Sequence, residues 1–352
     1  MPKTSVDRAG SYATDTPETA SDTRLTGENA RRAGIDHAWE QGNQEWWDWY
    51  VTLADNDGEA AGALHALPPL PIAATPTDEA LDRELSAPYT LTRDQVDFFR
   101  REGFIKLAHV LSPDVLLHLR EELIGLLSRS VEAALDGGVR DRFLSLDMVW
   151  LENDLVRKFV LSPRIGKLAA DLLGVPSVRL YHDNVLSKEP GCGRTPWHHD
   201  DHHFPLATDD VVTVWIPTQP VPGAMGPLAF ARSIEAHRLV ESIPFAKTDT
   251  SYDRRVSEAF QKAGVVVEDT PFDLGDVSFH HNLNFHTAGP NNTARSRVVL
   301  SNTFFADGAH LVDQPTMVSG DWQKFAPDVP PGGRLATPVN PVCWPPDVWR
   351  GA

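Results

Sequence analysis

The sequence predicts a mainly β fold with flanking helices, in which a sandwich or barrel of short strands follows a helical N-terminal extension. Three observations predict it. Up to Gly174 the chain carries helix caps and apolar positions that recur at three and four residues. Beyond Gly174 it turns to short alternating or apolar runs separated by Gly, Pro and Asp. Those runs show no fixed-period repeat and no intervening helical pattern, which argues against a solenoid or propeller and for a sheet closed on itself, of jelly-roll or cupin type.

Taken in order, residues 1–35 are rich in Ser, Thr, Asp, Glu and Gly and have little apolar surface to offset ordering entropy, so they read as a mobile polar arm. Residues 36–88 read as an aromatic helical extension followed by a Pro-rich linker. Trp39, Trp46, Trp47, Trp49 and Tyr50 suit a helix docked on the main body, whereas the prolines from Pro68 to Pro76 remove amide donors and exclude one. Residues 89–310 form the predicted main domain. Within it Thr92 and Gln95 make a capping box for a helix that stops at Gly103. Ser112 and Pro113 open a second helix, bearing Leu116, Leu119, Leu123 and Leu127, and a third runs from Pro163 to Leu173 with Gly174 as its stop. Strands are predicted from Val178 to Lys188, Val211 to Ile216, Gly264 to Glu268, Asp276 to His281 and Arg297 to Phe305. Residues 311–352 read as a C-terminal extension packed on the core.

The chain has 352 residues, 41% of them apolar, which suffices for one sizeable core. Its net charge of −17 repels a phosphate backbone, so nucleic acid is an unsuited partner. No apolar run is long enough to span a bilayer and the polar N-terminus lacks a secretory pattern, so a cytoplasmic location is expected. Two cysteines, Cys192 and Cys343, are too few for a disulfide framework or an all-thiolate metal site. Any metal must therefore be held by histidines and carboxylates.

The densest polar cluster is Trp197-His198-His199-Asp200-Asp201-His202-His203. Six ionisable residues in a row are costly to bury unless something binds them. On an extended strand alternate side chains share a face, which puts His198 with Asp200 and His199 with Asp201. Two histidines and one carboxylate are what a facial triad for iron(II) uses, leaving open positions for co-substrate and oxygen. His286, some eighty-odd residues on and just before Gly289-Pro290, supplies the third ligand. Singly, each histidine reads as a solvated or satisfied residue; it is their order within an all-strand region that points to a metal. Arg297 stands eleven residues after His286 at the start of an apolar strand. A neighbouring antiparallel strand would return its guanidinium beside the metal, where its paired donors suit a dicarboxylate. Arg295 is the rival on the same face.

With these residues in place the sequence resembles the phytanoyl-CoA dioxygenase family. The resemblance rests on Trp197-His198-His199-Asp200, on His286-Thr287-Ala288-Gly289-Pro290-Asn291, and on Arg297. It extends to Leu91 through Phe104, Tyr181 through Lys188, and Gly226-Pro227-Leu228, covering about residues 90–307. It implies a double-stranded β-helix using iron(II), 2-oxoglutarate and O2, with Arg297 on the distal carboxylate of the oxoacid. It further implies that the strand holding His182, Asn184, Leu186 and Lys188 brings Asn184 and Lys188 to the co-substrate. Hydroxylation of an unactivated C–H, with release of succinate and CO2, is the implied outcome. Asp200 occupies the place that related halogenases leave to a small residue, which disfavours halogenation. Where many relatives have a Pro-Gly-Ser-His turn, this chain reads Ala231-Arg232-Ser233-Ile234, with its histidine delayed to His237.

Two readings from other classes stand beside this one. One is a catalytically inactive cupin-like metal-binding module, against which the carboxylate clamp at Arg297 argues. The other is a zinc-dependent hydrolase on the same ligands, which needs a general base such as Asp201. The expected partner is a small-molecule substrate, and the acidic balance favours a secondary metabolite or an amino-acid derivative over an acyl-CoA. Oligomeric state has no sequence signal.

Overall fold

The computed structural model describes residues 63–134, 143–243, 251–315 and 322–346. The polar arm and the tryptophan-rich segment fall outside those residues. The first described helix, α1 (Asp78–Ser86), begins two residues after Pro76 and is N-capped by Thr77; the linker reading did not foresee it. Helix α2 (Arg93–Glu102) has the full capping box of Thr92 and Gln95 and ends at Gly103 with φ of 79°. Strand β1 (Phe104–Leu107), α3 (Pro113–Ala134), β2 (Phe143–Asp147) and α4 (Asp154–Val160) follow, then α5 (Pro163–Leu173), capped by Ser162 and stopped by Gly174.

The remaining elements are β3 (Val178–Lys188), β4 (Thr195–His198), β5 (Val211–Pro217), β6 (Leu228–Ala231), α6 (Ser251–Ala263) and β7 (Val267–Glu268). Strands β8 (Val277–His281), β9 (His286–Ala288) and β10 (Arg297–Ala306), the short α7 (Trp322–Phe325) and β11 (Val342–Trp344) complete them. Helix α6 corrects the expectation that no helix interrupts the strands. It also shortens the predicted strand from Gly264 to the two residues of β7.

The strands form two antiparallel sheets. A seven-stranded sheet runs β1-β8-β5-β10-β3-β11, with β2 also paired to β3, and a four-stranded sheet runs β4-β9-β6-β7. The outer face of the large sheet, with Val185, Val214, Phe279, Leu300 and Phe304, packs against Leu119 and Leu123 of α3 and Phe159, Ile165 and Leu168 from α4 and α5. Each such side chain, once fully buried, contributes roughly 1.5–3 kcal/mol of transfer free energy. Between the sheets, Phe104, Trp215, Phe230 and Val299 fill one part of the interior. Elsewhere Tyr181, Phe204 and Phe305 pack with Leu311, Ala326 and Leu335 of the C-terminal residues.

One irregularity decides which residues enter that interior. The β3–β10 register pairs Leu180 with Phe304 and His182 with Thr303, so Tyr181 is an extra residue. A bulge of one residue inverts the alternation beyond it. Val178 and Leu180 face the helices before the bulge and Val185 does so after it. His182, Asn184, Leu186 and Lys188 are thereby turned toward the opposite sheet.

Candidate metal centre

His198 ends β4 and His286 begins β9, and the two are register partners across the small sheet. Their rings lie 4.1 Å apart at the centroids. Asp200 reaches them differently from the strand alternation that the sequence suggested. The strand stops at His198, His199 is extended (φ −130°, ψ 154°), and Asp200 opens a tight helical turn over Asp200–His203. One extended residue between the ligands keeps both side chains on one side, so the pairing holds although the strand does not. Asp200 Oδ1 lies 3.9 Å from His198 Nε2 and 3.7 Å from His286 Nε2. One ligand atom from each of the three residues falls within 4.8 Å of the others.

The remaining polar atoms of the three are pinned. His198 Nδ1 donates to Pro196 O at 2.9 Å and His286 Nδ1 to Asn284 O at 3.0 Å. A carbonyl only accepts, so each Nδ1 carries the ring proton and each Nε2 presents a lone pair to the centre. Thr213 Oγ1 donates to Asp200 Oδ2 at 2.9 Å, and His280 Nε2 approaches the same oxygen at 3.2 Å. Oδ1 is left to face the imidazoles. Burial lowers the pKa of His198, and burial reinforced by His198 and His280 holds His286 well below the usual range. For Asp200 burial acts upward, but His286, His280 and His198 outweigh it and hold the carboxyl well below its ordinary value. Two neutral imidazoles and one carboxylate, each with a donor atom aimed inward, are a donor set that fits a ferrous ion.

Two of the surplus residues of the cluster, His199 and Asp201, are engaged elsewhere. His199 packs on Phe285 with centroids 4.8 Å apart. Asp201 accepts from Asn282 Nδ2 at 3.0 Å and its amide donates to Asn282 O at 3.0 Å. His280 escaped the sequence reading. Its signal was the alternation of β8, where Val277 and Phe279 face the helices and Ser278 and His280 face inward.

Strand registers arrange the inner face of the large sheet in rows. His182, Thr303, Thr213 and His280 form the row under Asp200, and Asn184, Ser301, Trp215 and Ser278 form the next. Asn184 Oδ1 accepts from Ser145 Oγ at 2.7 Å. Farther along, Arg297 is paired with Lys188. The two cations are 3% and 0% exposed, a costly placement that asks for anionic company. Lys188 Nζ donates to Gly193 O at 2.8 Å and Gly289 O at 2.9 Å. Arg297 donates to Gly226 O and its guanidinium carbon sits 5.4 Å from the Trp215 ring centroid.

The topology corrects the expectation that a strand neighbouring β9 carries Arg297. Strands β9 and β10 are not neighbours: β9 lies in the small sheet and β10 in the large one. The chain crosses between sheets after Gly289, and Arg297 reaches back over the gap to Gly226. Gly226 has φ of 69°, and a Cβ there would stand 2.1 Å from Gly289 O, so only glycine permits this approach. Arg295 instead donates to Pro68 O at 2.6 Å and ties down the proline-rich segment, whose His65 bridges Thr293.

Comparison with known proteins agrees with this geometry. The model of the phytanoyl-CoA dioxygenase (PhyH) family matches residues 99–299. The peroxisomal phytanoyl-CoA dioxygenase of Mus musculus is 23% identical over 256 residues, 66% of this chain and 73% of the relative. A probable alpha-ketoglutarate-dependent hypophosphite dioxygenase of Stutzerimonas stutzeri is 30% identical over 167 residues, 45% of this chain and 56% of the relative. Among solved structures, the non-heme alpha ketoglutarate dependent epimerase SnoN from nogalamycin biosynthesis shares the fold with a TM-score of 0.56, at 21% identity. That alignment covers 71% of this chain and 97% of SnoN. None of the described helices is long and apolar enough to cross a membrane. The chain belongs to the phytanoyl-CoA dioxygenase family and is an iron(II)- and 2-oxoglutarate-dependent dioxygenase.

Proposed function

We propose that this enzyme hydroxylates an unactivated C–H of a small metabolite, converting 2-oxoglutarate and O2 to succinate and CO2. His198, Asp200 and His286 are the iron ligands in this reading, and Arg297, Lys188 and Asn184 seat the co-substrate. The observation that carries it is the convergence of two Nε2 atoms and one carboxylate oxygen within 4.8 Å. When bound, iron would let 2-oxoglutarate supply two electrons to O2, the oxidant, so that one oxygen atom goes to succinate and the other to the hydroxylated carbon.

The protein's own residues do the rest. Thr213 and His280 engage Asp200 Oδ2, so that Oδ1 is the oxygen Asp200 would offer to a metal. Arg297 and Lys188 offer a buried pair of positive charges to the distal carboxylate, and Asn184 contributes a polar group between that seat and the metal row. The fixed tautomers of His198 and His286 prevent either ring from presenting a proton to the metal. Asp201, the general base that a hydrolytic reading needs, is engaged by Asn282 instead.

The test is turnover under 18O2 with iron(II), 2-oxoglutarate and a panel of small metabolites, following succinate and product mass. The proposal expects succinate release stimulated by one class of substrate and a product carrying one 18O atom. A product whose added oxygen comes from water overturns it.

A further inference from the structure

The side of β4 and β9 away from the candidate ligands is covered by α6, and its contacts fall on residues adjacent to ligands. Trp197, next to His198, meets Phe260 edge-on at 5.3 Å, and Phe285, next to His286, meets the same ring at 5.5 Å. The strands themselves are weakly coupled. Only Thr195–Ala288 and His198–His286 are in register, with an irregularity between Thr195 and His198. Pro196 has no amide to donate, and the Trp197 amide finds its acceptor outside the sheet.

That acceptor is Asp253 of α6. The Trp197 amide donates to its Oδ1 at 2.8 Å, and Arg194 Nη1 donates to its Oδ2. The same guanidinium reaches Thr287 Oγ1 at 3.4 Å, and Thr287 Oγ1 donates to Thr195 O at 2.5 Å. Asp253 is 6% exposed. One buried carboxylate thus links a helix to both ligand-bearing strands, within one residue of each histidine.

We propose that Asp253 is a positioning residue for the metal centre: with Arg194 it sets the spacing of β4 and β9 and so the approach of His198 to His286. The proposal rests on the reading of those two histidines as iron ligands. Ligand geometry tolerates errors of only about 0.5 Å, and removing the acceptor strands a buried amide at the residue before His198. The side chains of Arg297 and Lys188 belong to the other sheet, and Lys188 meets this segment only at the backbone carbonyls of Gly193 and Gly289.

The test is anaerobic titration of the full-length protein with iron(II) at saturating 2-oxoglutarate, reading the visible charge-transfer absorbance. Parent, Asp253→Ala, Asp253→Asn, His198→Ala and Leu335→Ala are compared, the last being a destabilised control in the C-terminal cluster. His198→Ala examines the underlying reading by itself: if it binds iron as the parent does, the ligand assignment falls whatever Asp253 does. The expected result is an iron Kd at least about tenfold weaker in Asp253→Ala, with the Kd for 2-oxoglutarate at saturating iron unchanged within about twofold. Asp253→Asn, which keeps an acceptor for Trp197 but loses the charge facing Arg194, is expected between the two and decides the matter if the alanine variant does not fold. Leu335→Ala is expected to lower the melting temperature and leave the iron Kd in place. The proposal is overturned if the folded Asp253 variants bind iron within about twofold of the parent, or if Leu335→Ala weakens iron equally.

Discussion

Replacing Asp183 with asparagine should remove the fall in stability with rising pH that the buried carboxyl imposes. Asp183 lies on the helix-facing side of β3, 0% exposed, between two residues that face the site. Its Oδ2 accepts from the Trp150 amide at 3.3 Å, while Oδ1 has no hydrogen-bond partner, nor does either side-chain polar atom of its cross-strand neighbour Asn302. Burial raises the carboxyl to about 7. Against an unfolded value of about 3.9, that is roughly 3 pH units, at most about 4 kcal/mol. Between those two values the folded chain holds a proton that the unfolded chain has released, so stability falls as pH rises and levels off above 7. His182 acts in the opposite sense. Burial lowers its imidazole to about 4 despite Asp147 and Asp200, so its contribution rises with pH up to about 6.5. The parent profile alone mixes the two, but the difference between parent and Asp183→Asn cancels His182. Thermal unfolding of the metal-free proteins, followed by circular dichroism between pH 5 and 8, should show the variant gaining several degrees over the parent toward pH 8. A difference between the two that is constant across that range would refute the reasoning.

Other changes separate the parts of the site. Arg297→Ala should raise the KM for 2-oxoglutarate roughly 30- to 100-fold, the equivalent of about 2–3 kcal/mol for a charge-assisted contact, with iron binding retained; steady-state kinetics and iron titration check the split. Thr213→Val, nearly isosteric, leaves Asp200 Oδ2 with its His280 contact and should weaken iron about tenfold, measured by competition with a colorimetric chelator, without changing the KM for 2-oxoglutarate in steady-state kinetics.

Those elements with a local cause were legible in the sequence. Helices α2 and α5 carry their caps and stops within a few residues, and β3, β5, β8 and β10 are apolar enough to declare themselves. Helices α1 and α4 have 9 and 7 residues and sit beside proline- and acid-rich stretches that mask their periodicity. Helix α6 had a readable signal, Tyr252, Val256 and Phe260 at intervals of four, submerged in charge. The bulge at Tyr181 leaves no mark on composition, although it decides that Asn184 and Lys188 face inward.

The site shows the same division. His198, Asp200 and His286 could be chosen because their spacing is a pattern, yet the backbone that presents Asp200 is a turn where a strand was expected. Arg297 was singled out by spacing, but its placement in the large sheet and not beside β9 was not foreseen, because pairing of strands is a long-range property. His280 and Asp253 belong to no motif in the sequence, and their contacts come only from what the fold brings beside them.

The central claim is that one ferrous ion is held by His198, Asp200 and His286. Anomalous diffraction at the iron edge, from crystals grown anaerobically with iron(II) and 2-oxoglutarate, tests it directly. The account predicts a single iron peak within bonding distance of His198 Nε2, Asp200 Oδ1 and His286 Nε2, with the oxoacid running from it toward Arg297. Iron bound instead by His199 and Asp201, or an oxoacid pointing away from Arg297, would contradict it.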